Sequence, residues 1–519
     1  MTIIEMLCER VESSPDGVAF ILGEERFTYR QLSDASERLG RMLNARGIQP
    51  GDRIVLQMTN VREMIVAYYA CFRLGAIACP LHVRLKTAEL RPLLQRLQPT
   101  LYIGQAEFHS AVAAIEPNIL RADARVVVGG VFEDGRALRW EDFVRHEERP
   151  IMVSPDVDAP AVLLMTSGTT GVPKFVTHTQ ATLLAAIATT VSNLAFDAER
   201  AVLHTTTMAH VSGLLVMLAS IGRGVRMILL PTFDPEAALD AIQLYRCSFT
   251  FNLPFMYAEL IRCQRARSRN VGSLRTCLVG GDVCPSELQQ TFEDVFGVPL
   301  RNVWGSTETI VPLTYGFHPG PVMRVVPSAN VRLINDAGLP VSRGELGELL
   351  IRAPGLAAGY WAGPGQVESL LKDGWFHTGD LMQQGDGDDI WFVSRKKELL
   401  VRGGDNISPV EVEQVLLAHP AVRDAAVTGV PDAILGQRVV ALVQLEGDVG
   451  EAVFDDIRAS VLAQLAYYKV PERMQAVAAI PRNTLGKIDR RALTGMVSVM
   501  EPRKPATSTK DKGNNEGET

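Results

Sequence analysis

Apolar positions recur along this chain with two different periods, and these periods predict both helices and strands. Between Thr28 and Gly47 they follow helical spacing after a capping-box pattern, and Gly47 ends the segment. Short apolar runs at 54–56 and 77–80, typical of buried strands, flank a second helical segment at 60–74. Because this β-α-β-α order continues, we expect parallel sheets covered by helices. The pattern therefore predicts an α/β fold.

A second α/β pattern lies near the end of the chain. Ser408, Pro409 and Glu411 form a helix-capping pattern, which predicts a helix start. Strand, strand, helix and strand patterns then follow, at 425–430, 439–445, 454–465 and 474–480. They predict a compact domain of about one hundred residues. The polar residues after about 498 are rich in proline, glycine and lysine, and we expect a disordered tail there.

Composition narrows the class of protein. The 519 residues are 47% hydrophobic and 21% charged, which is ordinary for a soluble protein with several cores. The net charge of −7 offers no basic footprint for nucleic acid. Glu5 and Glu9 stand where a signal peptide needs positive charge, and no apolar stretch reaches transmembrane length, so we expect a cytoplasmic protein. The seven cysteines lack C-x-x-C spacing, which favours buried thiols over disulfides or zinc.

The segment 166–174, TSGTTGVPK, carries the first candidate chemistry. It follows an apolar run at 161–165 and combines two glycines, four hydroxyls and a lysine. Glycines allow backbone N–H groups to turn towards an anion, and the lysine adds positive charge, so the segment could hold phosphate. Its spacing differs from that of the P-loop, and a flexible surface turn is the alternative interpretation. The candidate phosphate-binding residues are Thr166, Ser167, Gly168, Thr169, Thr170, Gly171 and Lys174.

Further polar segments each have an ordinary structural explanation as well. A histidine beside an apolar strand is usually a core residue, a glycine pair after a strand is usually a turn, and Thr-Glu often begins a helix. An aspartate after glycine is typical of turns, and adjacent cations are typical of solvated surface. The segments are 204–214, 278–282, 302–308, 373–380, 394–404 and 481–490.

Taken together and in this order, the segments resemble the adenylate-forming superfamily, which contains acyl- and aryl-CoA synthetases, peptide synthetase adenylation domains and beetle luciferases. TSGTTGVPK, WGSTE, HTGD and NTLGKIDR are the most specific motifs, and the resemblance extends to about residue 497. It implies an α/β fold with a large multi-subdomain N-terminal domain and a small mobile α/β C-terminal lid domain. We place the adenylation domain at 1–395, the lid at 396–498 and the tail at 499–519.

The resemblance implies roles for the residues that match its motifs. An aromatic face at Trp304 would stack on adenine, Thr307 would hold phosphate, Glu308 would bind Mg²⁺, and Asp380 would hold the ribose hydroxyls. Trp304 replaces the usual tyrosine, and Asp282 replaces the usual alanine or glutamate, which leaves the role of Asp282 open. The remaining residues expected around the nucleotide and the thiol route are Gly281, Asp282, Asn302, Gly305, Ser306, Arg395, Lys397, Gly403 and Gly404.

Lys487 would reach the reacting groups during adenylation, and Lys397 would be the pivot of the lid. His210 would lie near the carboxyl group of the substrate, and with Thr166, Glu308 and Lys487 it completes the expected catalytic set. The expected acid pocket is apolar or small, and contains no second cation for a dicarboxylate. Its residues are His210, Val211, Gly213, Gly280, Val303, Ile310 and Val311.

The implied reaction is an ATP- and Mg²⁺-dependent acid–thiol ligation. A carboxylic acid, medium-chain fatty or aromatic, would become an acyl-AMP and then pass to coenzyme A. An acyl carrier protein is the alternative acceptor, and a nucleotide-binding relative without activity is the non-enzyme alternative. We expect no nucleic-acid partner, no transmembrane segment, and a monomer or homodimer.

Overall fold

A computed structural model describes residues 1–132, 135–144, 155–166, 173–193, 200–310, 313–315, 320–402, 405–432, 434–447, 453–483 and 486–498. The chain divides into two compact units. The first comprises Met1–Glu398 together with Thr484–Lys487, and the second comprises Leu399–Asn483 together with Ile488–Thr519. The predicted tail at 499–519 lies outside the described residues.

Helices of the first unit form where the sequence has apolar stripes and caps. Thr28 caps the predicted helix, and the reciprocal bonds with Gln31 complete the capping box. The second predicted helix begins at Arg62, two residues later than expected. The helices are α1 (Ile3–Ser13), α2 (Tyr29–Ala45), α3 (Arg62–Leu74), α4 (Thr87–Leu97), α5 (His109–Ala113), α6 (Trp140–Phe143), α7 (Gln180–Asn193), α8 (Val211–Arg223), α9 (Pro235–Tyr245), α10 (Pro254–Ala266) and α11 (Ser286–Phe296).

The strands of the same unit are short, and most are buried. They are β1 (Val18–Leu22), β2 (Glu25–Thr28), β3 (Arg53–Gln57), β4 (Ile77–Pro80), β5 (Leu101–Gln105), β6 (Arg125–Val128), β7 (Leu138–Arg139), β8 (Pro160–Thr166), β9 (Lys174–Thr179), β10 (Ala201–His204), β11 (Met227–Leu229) and β12 (Cys247–Asn252). They continue as β13 (Thr276–Val279), β14 (Leu300–Asn302), β15 (Leu313–Tyr315), β16 (Met323–Val325), β17 (Asn330–Ile334), β18 (Leu346–Arg352), β19 (Gly359–Gly363), β20 (Gln366–Glu368), β21 (Leu371–Lys372), β22 (Trp375–Gln384) and β23 (Asp389–Arg395).

Two sheets of the first unit are mainly parallel, as the β-α-β pattern predicts. One has the order β14-β13-β12-β10-β11-β1-β2, and the other has the order β20-β19-β9-β8-β4-β3-β5-β6-β7. The largest apolar cluster contains side chains from strands of both sheets and from α3 and α8. Tyr68, Tyr69 and Phe72 of α3 are fully buried, because this helix is covered on more than one side.

The third sheet of the first unit is antiparallel, which the prediction of parallel sheets did not include. Its order is β15-β16-β23-β22-β18-β17, and β21 pairs with β22. Its successive strands follow one another without the helical crossover that a parallel pair requires. The pairing of β22 with β23 sets Asp380 directly opposite Arg395.

The second unit has one sheet with the order β25-β24-β27-β26, and β28 pairs with β27. Ser408 accepts a hydrogen bond from the Glu411 backbone N–H, as its cap predicts. The Arg490 guanidinium contacts the buried Glu413 carboxylate and donates to the Val427 carbonyl at 2.8 Å. The elements of this second unit are β24 (Leu400–Arg402), β25 (Asp405–Ile407), α12 (Pro409–Leu417), β26 (Val422–Asp432), β27 (Gly436–Leu445), α13 (Val453–Gln464), β28 (Arg473–Ala476) and α14 (Arg490–Ser498).

Two composition-based expectations can be compared with the structure. All seven cysteines are free thiols, and six of them are buried, as predicted. Within the described ranges, no helix has the length and apolar character needed to cross a bilayer.

Candidate active site

The two ends of the predicted phosphate loop are held by a sheet. Thr166 ends β8 and is paired with Lys174, the first residue of the antiparallel strand β9. Arg96 donates to the Pro173 carbonyl at 2.6 Å, which adds a contact at the end of the loop. The loop therefore begins and ends at paired positions of two neighbouring strands inside the sheet. The predicted residues Ser167, Gly168, Thr169, Thr170 and Gly171 lie outside the described residues.

Several hydrogen bonds hold Thr307 and Glu308 against the same sheet. His178 of β9 donates from Nε2 to the Thr307 carbonyl at 2.8 Å, and burial lowers the pKa of this histidine to about 4, so its ring is neutral. The Ala357 N–H donates to the Glu308 carbonyl at 2.8 Å. Tyr360 donates from its hydroxyl to Glu308 Oε1 at 3.0 Å. Both main chain and side chain of Glu308 are thus held in place.

The turn that follows Trp304 is closed by its own side chains. The Ser306 N–H donates to Thr309 Oγ1 at 3.0 Å, and the Thr309 N–H donates to Ser306 Oγ at 3.3 Å. Ile310 then adopts a φ of +59°, which is strained for a β-branched residue, and its side chain is buried. Gly305 is exposed, whereas Thr307 is buried. Val311, predicted to line the acid pocket, lies outside the described residues.

Asp380 is the most strongly held carboxylate of the predicted set. Its side chain is 5% exposed, and Oδ2 accepts a hydrogen bond from Trp304 Nε1 at 2.9 Å. Its Oδ1 lies 3.2 Å from Arg395 Nε. Burial raises the pKa of Asp380, although Arg395 and the indole N–H both oppose that shift. Trp304, predicted only as an aromatic face, therefore also orients the aspartate through its indole N–H.

Asn302 lies at the end of β14, and its side-chain amide donates to the Gly320 carbonyl. Gly320 is itself held by Gln289, whose side-chain oxygen accepts the Gly320 N–H at 2.8 Å. The remaining side-chain atom of Asn302 is an amide oxygen, which suits a bond from an amino group. This oxygen is therefore the atom with which Asn302 could accept a hydrogen bond from the expected nucleotide.

The glycine pair after β13 allows close packing of the main chain. A Cβ atom on Gly280 would lie 2.7 Å from the Val303 carbonyl oxygen, so a side chain does not fit there. Gly281 has a φ of +84°, which glycine adopts readily. Asp282 is exposed, and its Oδ1 accepts the N–H of Val283 at 2.9 Å. The pair therefore leaves bare backbone beside Val303.

His210 is the N-cap residue of α8. Its Nδ1 accepts from the Ser212 N–H at 3.4 Å, and desolvation lowers its pKa to about 3, with a further contribution from the Lys487 charge. The ring is therefore neutral and keeps its proton on Nε2. Val211, the first helical residue, is buried. Gly213 is needed for packing, because a Cβ atom there would lie 2.1 Å from the Thr207 carbonyl oxygen.

Lys487 belongs to the first compact unit by its contacts. Burial lowers the pKa of its ammonium group, and the Arg395 charge acts in the same direction, whereas Asp282 and Asp380 act in the opposite one. Gly486 has a φ of +80°, and a Cβ atom there would lie 2.5 Å from the Phe255 ring. Lys487, His210, Asp282, Asp380 and Arg395 therefore share one electrostatic neighbourhood.

The remaining predicted residues lie at the end of this unit. Lys397 is in the turn after β23, one residue before the first unit ends at Glu398. Gly403 and Gly404 lie outside the described residues. No group of three or more metal-ligating side chains occurs in the described part of the chain. A single carboxylate such as Glu308 fits Mg²⁺, which commonly keeps its waters and binds nucleotide phosphates.

A large α/β unit and a small α/β unit, together with the motifs described above, are typical of the class of adenylate-forming enzymes. Residues 7–361 match the AMP-binding enzyme family, and residues 411–487 match the AMP-binding enzyme C-terminal domain. The chain therefore belongs to the AMP-binding enzyme family, and the predicted fold and superfamily are confirmed.

Curated relatives agree with this family. An indoleacetate–CoA ligase from Aromatoleum aromaticum is 30% identical over 514 residues, which cover 96% of this chain and 100% of the relative. A feruloyl-CoA synthase from Amycolatopsis is 32% identical over 490 residues, which cover 92% and 96%. The o-succinylbenzoate CoA synthetase of Bacillus subtilis, solved with its acyl-adenylate, is 25% identical with a TM-score of 0.82 and coverage of 96% and 98%. The chain is an AMP-forming acyl-CoA synthetase, an enzyme class that uses ATP, Mg²⁺ and coenzyme A.

Proposed function

We propose that the enzyme activates an aromatic monocarboxylic acid as its acyl-AMP and transfers the acyl group to coenzyme A. The observation that carries the proposal is that the partly buried Lys487 side chain lies in the same charged neighbourhood as Asp380 and Arg395. A cation at this position can offset the charge of an anionic ligand that enters the site. A carboxylate meeting the α-phosphate of ATP is such a ligand.

In the first step, a substrate carboxylate oxygen attacks the α-phosphorus, and the bond from that phosphorus to the pyrophosphate oxygen breaks. Lys487 offsets the repulsion between the two anions, and Asp380 accepts hydrogen bonds from the ribose hydroxyls. Glu308 and the nucleotide phosphates would hold Mg²⁺, which neutralises phosphate charge when bound. The enzyme supplies position and charge rather than its own nucleophile.

In the second step, the coenzyme A thiolate attacks the acyl carbon, and the acyl–oxygen bond to AMP breaks. His210 is neutral and keeps its Nε2 proton, so it can donate a hydrogen bond to the substrate carboxyl group without adding charge. We assign Lys397 as the pivot about which the lid would rotate between the two steps. We assign Gly403 and Gly404 to the route by which the thiol would arrive.

The preference for an aromatic acid rests on the pocket and on the relatives. Val211, Val303 and Ile310 are apolar and buried, and Gly280 has no side chain that would oppose a flat ring. Two of the curated relatives are named for indoleacetate and ferulate, which are aromatic acids with one carboxylate. A medium-chain fatty acid is the alternative, because an apolar wall accepts a hydrocarbon chain equally well.

The test measures pyrophosphate release with ATP and Mg²⁺ against indoleacetate, ferulate, benzoate, octanoate and o-succinylbenzoate, with and without coenzyme A. We expect coenzyme A-dependent turnover that is fastest on an aromatic monocarboxylate. A peak on octanoate would establish the fatty-acid alternative. A single burst of acyl-AMP formation that coenzyme A does not change, followed by acyl transfer to a carrier-protein phosphopantetheine, would identify the carrier protein as the acceptor instead of coenzyme A.

A further inference from the structure

Tyr360 lies beside the proposed metal ligand, and the sequence assigned it no role. It belongs to β19, which pairs antiparallel with β9 so that Tyr360 lies opposite Val176. Lys174 precedes Val176 by two residues and therefore projects from the same face of β9. Its Nζ lies 4.3 Å from the centre of the Tyr360 ring. Tyr360 thus contacts the cation at the end of the phosphate loop.

The hydroxyl of the same side chain points to Glu308. It donates to Oε1 at 3.0 Å, and this bond occupies one of the two carboxylate oxygens. A tyrosine hydroxyl keeps its proton at neutral pH, so it is the donor in this bond and the carboxylate oxygen accepts. Among the described residues, this bond leaves the second oxygen, Oε2, for a cation. A hydrogen bond of this kind fixes which way a metal-binding carboxylate faces.

The backbone around Tyr360 supports the same arrangement. Ala357 donates to the Glu308 carbonyl at 2.8 Å, and Ala358 donates to the Thr177 carbonyl at 2.9 Å. A Cβ atom on Gly359 would lie 2.1 Å from the Glu368 carbonyl oxygen, so only glycine fits before the tyrosine. Hydrogen bonds therefore tie this segment to both β9 and Glu308. The backbone that carries the Tyr360 side chain is therefore held in place by the fold.

We propose that Tyr360 is a positioning residue that aims the Glu308 carboxylate at the metal–nucleotide complex through its hydrogen bond to Oε1. The inference rests on the proposed function, because it takes Glu308 as the metal ligand. It predicts that the hydroxyl matters for metal affinity and that the ring alone does not replace it.

The test measures Mn²⁺ binding by electron paramagnetic resonance in the presence of α,β-methylene-ATP, which binds without reacting. Tyr360→Phe keeps the ring and removes the hydroxyl. We expect its Mn²⁺ dissociation constant to rise about tenfold, at the lower end of the 10- to 100-fold typical of such supporting bonds. Tyr245→Phe is the matched control, since it removes a hydroxyl that donates to the Gly23 carbonyl at 3.2 Å, and its Mn²⁺ affinity should equal that of the wild type.

A double-mutant cycle separates positioning from general damage. In a Glu308→Gln background, Tyr360→Phe should cause no further loss of Mn²⁺ affinity, because the carboxylate that it orients is gone. Unchanged Mn²⁺ affinity in folded Tyr360→Phe, or an equal loss in both backgrounds, would overturn the role of Tyr360. If wild-type protein binds neither the nucleotide analogue nor Mn²⁺, the proposed function itself fails and Tyr360 with it.

Discussion

Trp304 offers the sharpest test of how the nucleotide site is held. Trp304→Phe keeps an aromatic face for stacking but removes the indole N–H that donates to the buried Asp380 at 2.9 Å. A hydrogen bond to a charged group contributes about 1.5–3 kcal/mol, which corresponds to a factor of about 10–150 in affinity. Since water can replace part of a lost donor, we expect the AMP dissociation constant to rise by about tenfold.

The measurement is isothermal titration of AMP into wild type, Trp304→Phe, Asp380→Asn and the double variant. Trp391→Phe, the same substitution at a partly buried position on β23, is the control for loss of indole volume and should bind AMP normally. In the Asp380→Asn background, the loss caused by Trp304→Phe should shrink to less than twofold. An undiminished tenfold loss there, or no loss in the single variant, would refute the assignment of Trp304 as the residue that orients Asp380.

Three further predictions concern catalysis and stability. Lys487→Ala should slow adenylation by about 10²–10³ while sparing thioester formation from supplied acyl-AMP, and equal loss of both half-reactions would contradict the assignment. Burial lowers the pKa of His178 from 6.5 to about 4, so the free energy of unfolding should fall as the pH falls through that window. Urea unfolding at several pH values measures this dependence. In His178→Gln the change of the free energy of unfolding with pH should be smaller by about one proton, or about 1.4 kcal/mol per pH unit. Arg490→Met leaves Glu413 buried without its guanidinium partner and should lower the free energy of unfolding by about 3 kcal/mol, measured by urea unfolding; a loss below about 1 kcal/mol would show that the pair contributes little.

Local signals were sufficient for much of the fold. The capping box at Thr28 predicted the start of α2, and the apolar runs predicted β3, β4 and β8 to within one or two residues. These features depend on side chains a few positions apart, so the linear order of residues contains them. The antiparallel third sheet was missed, because the direction of pairing is a long-range property.

In the nucleotide site, too, local sequence patterns predicted some features and long-range contacts decided others. The motifs pointed to Glu308, Asp380 and Lys487 as chemistry-bearing groups, because each stands in a short pattern that resembles a known family. The contacts that hold these groups carry no such local mark, although Trp304 itself stands in the WGSTE motif. Tyr360 reaches Glu308 across 52 positions, and Trp304 reaches Asp380 across 76.

The amino-acid order alone thus specified the elements, the class of enzyme expected and the groups expected to carry the reaction. Tertiary structure alone decided that the indole N–H of Trp304 is aimed at Asp380, that Tyr360 lies between Lys174 and Glu308, and that His178 holds the Thr307 carbonyl. The physical reason is that hydrogen bonds and burial act through space, and only the packed sheets bring these distant positions into contact with each other.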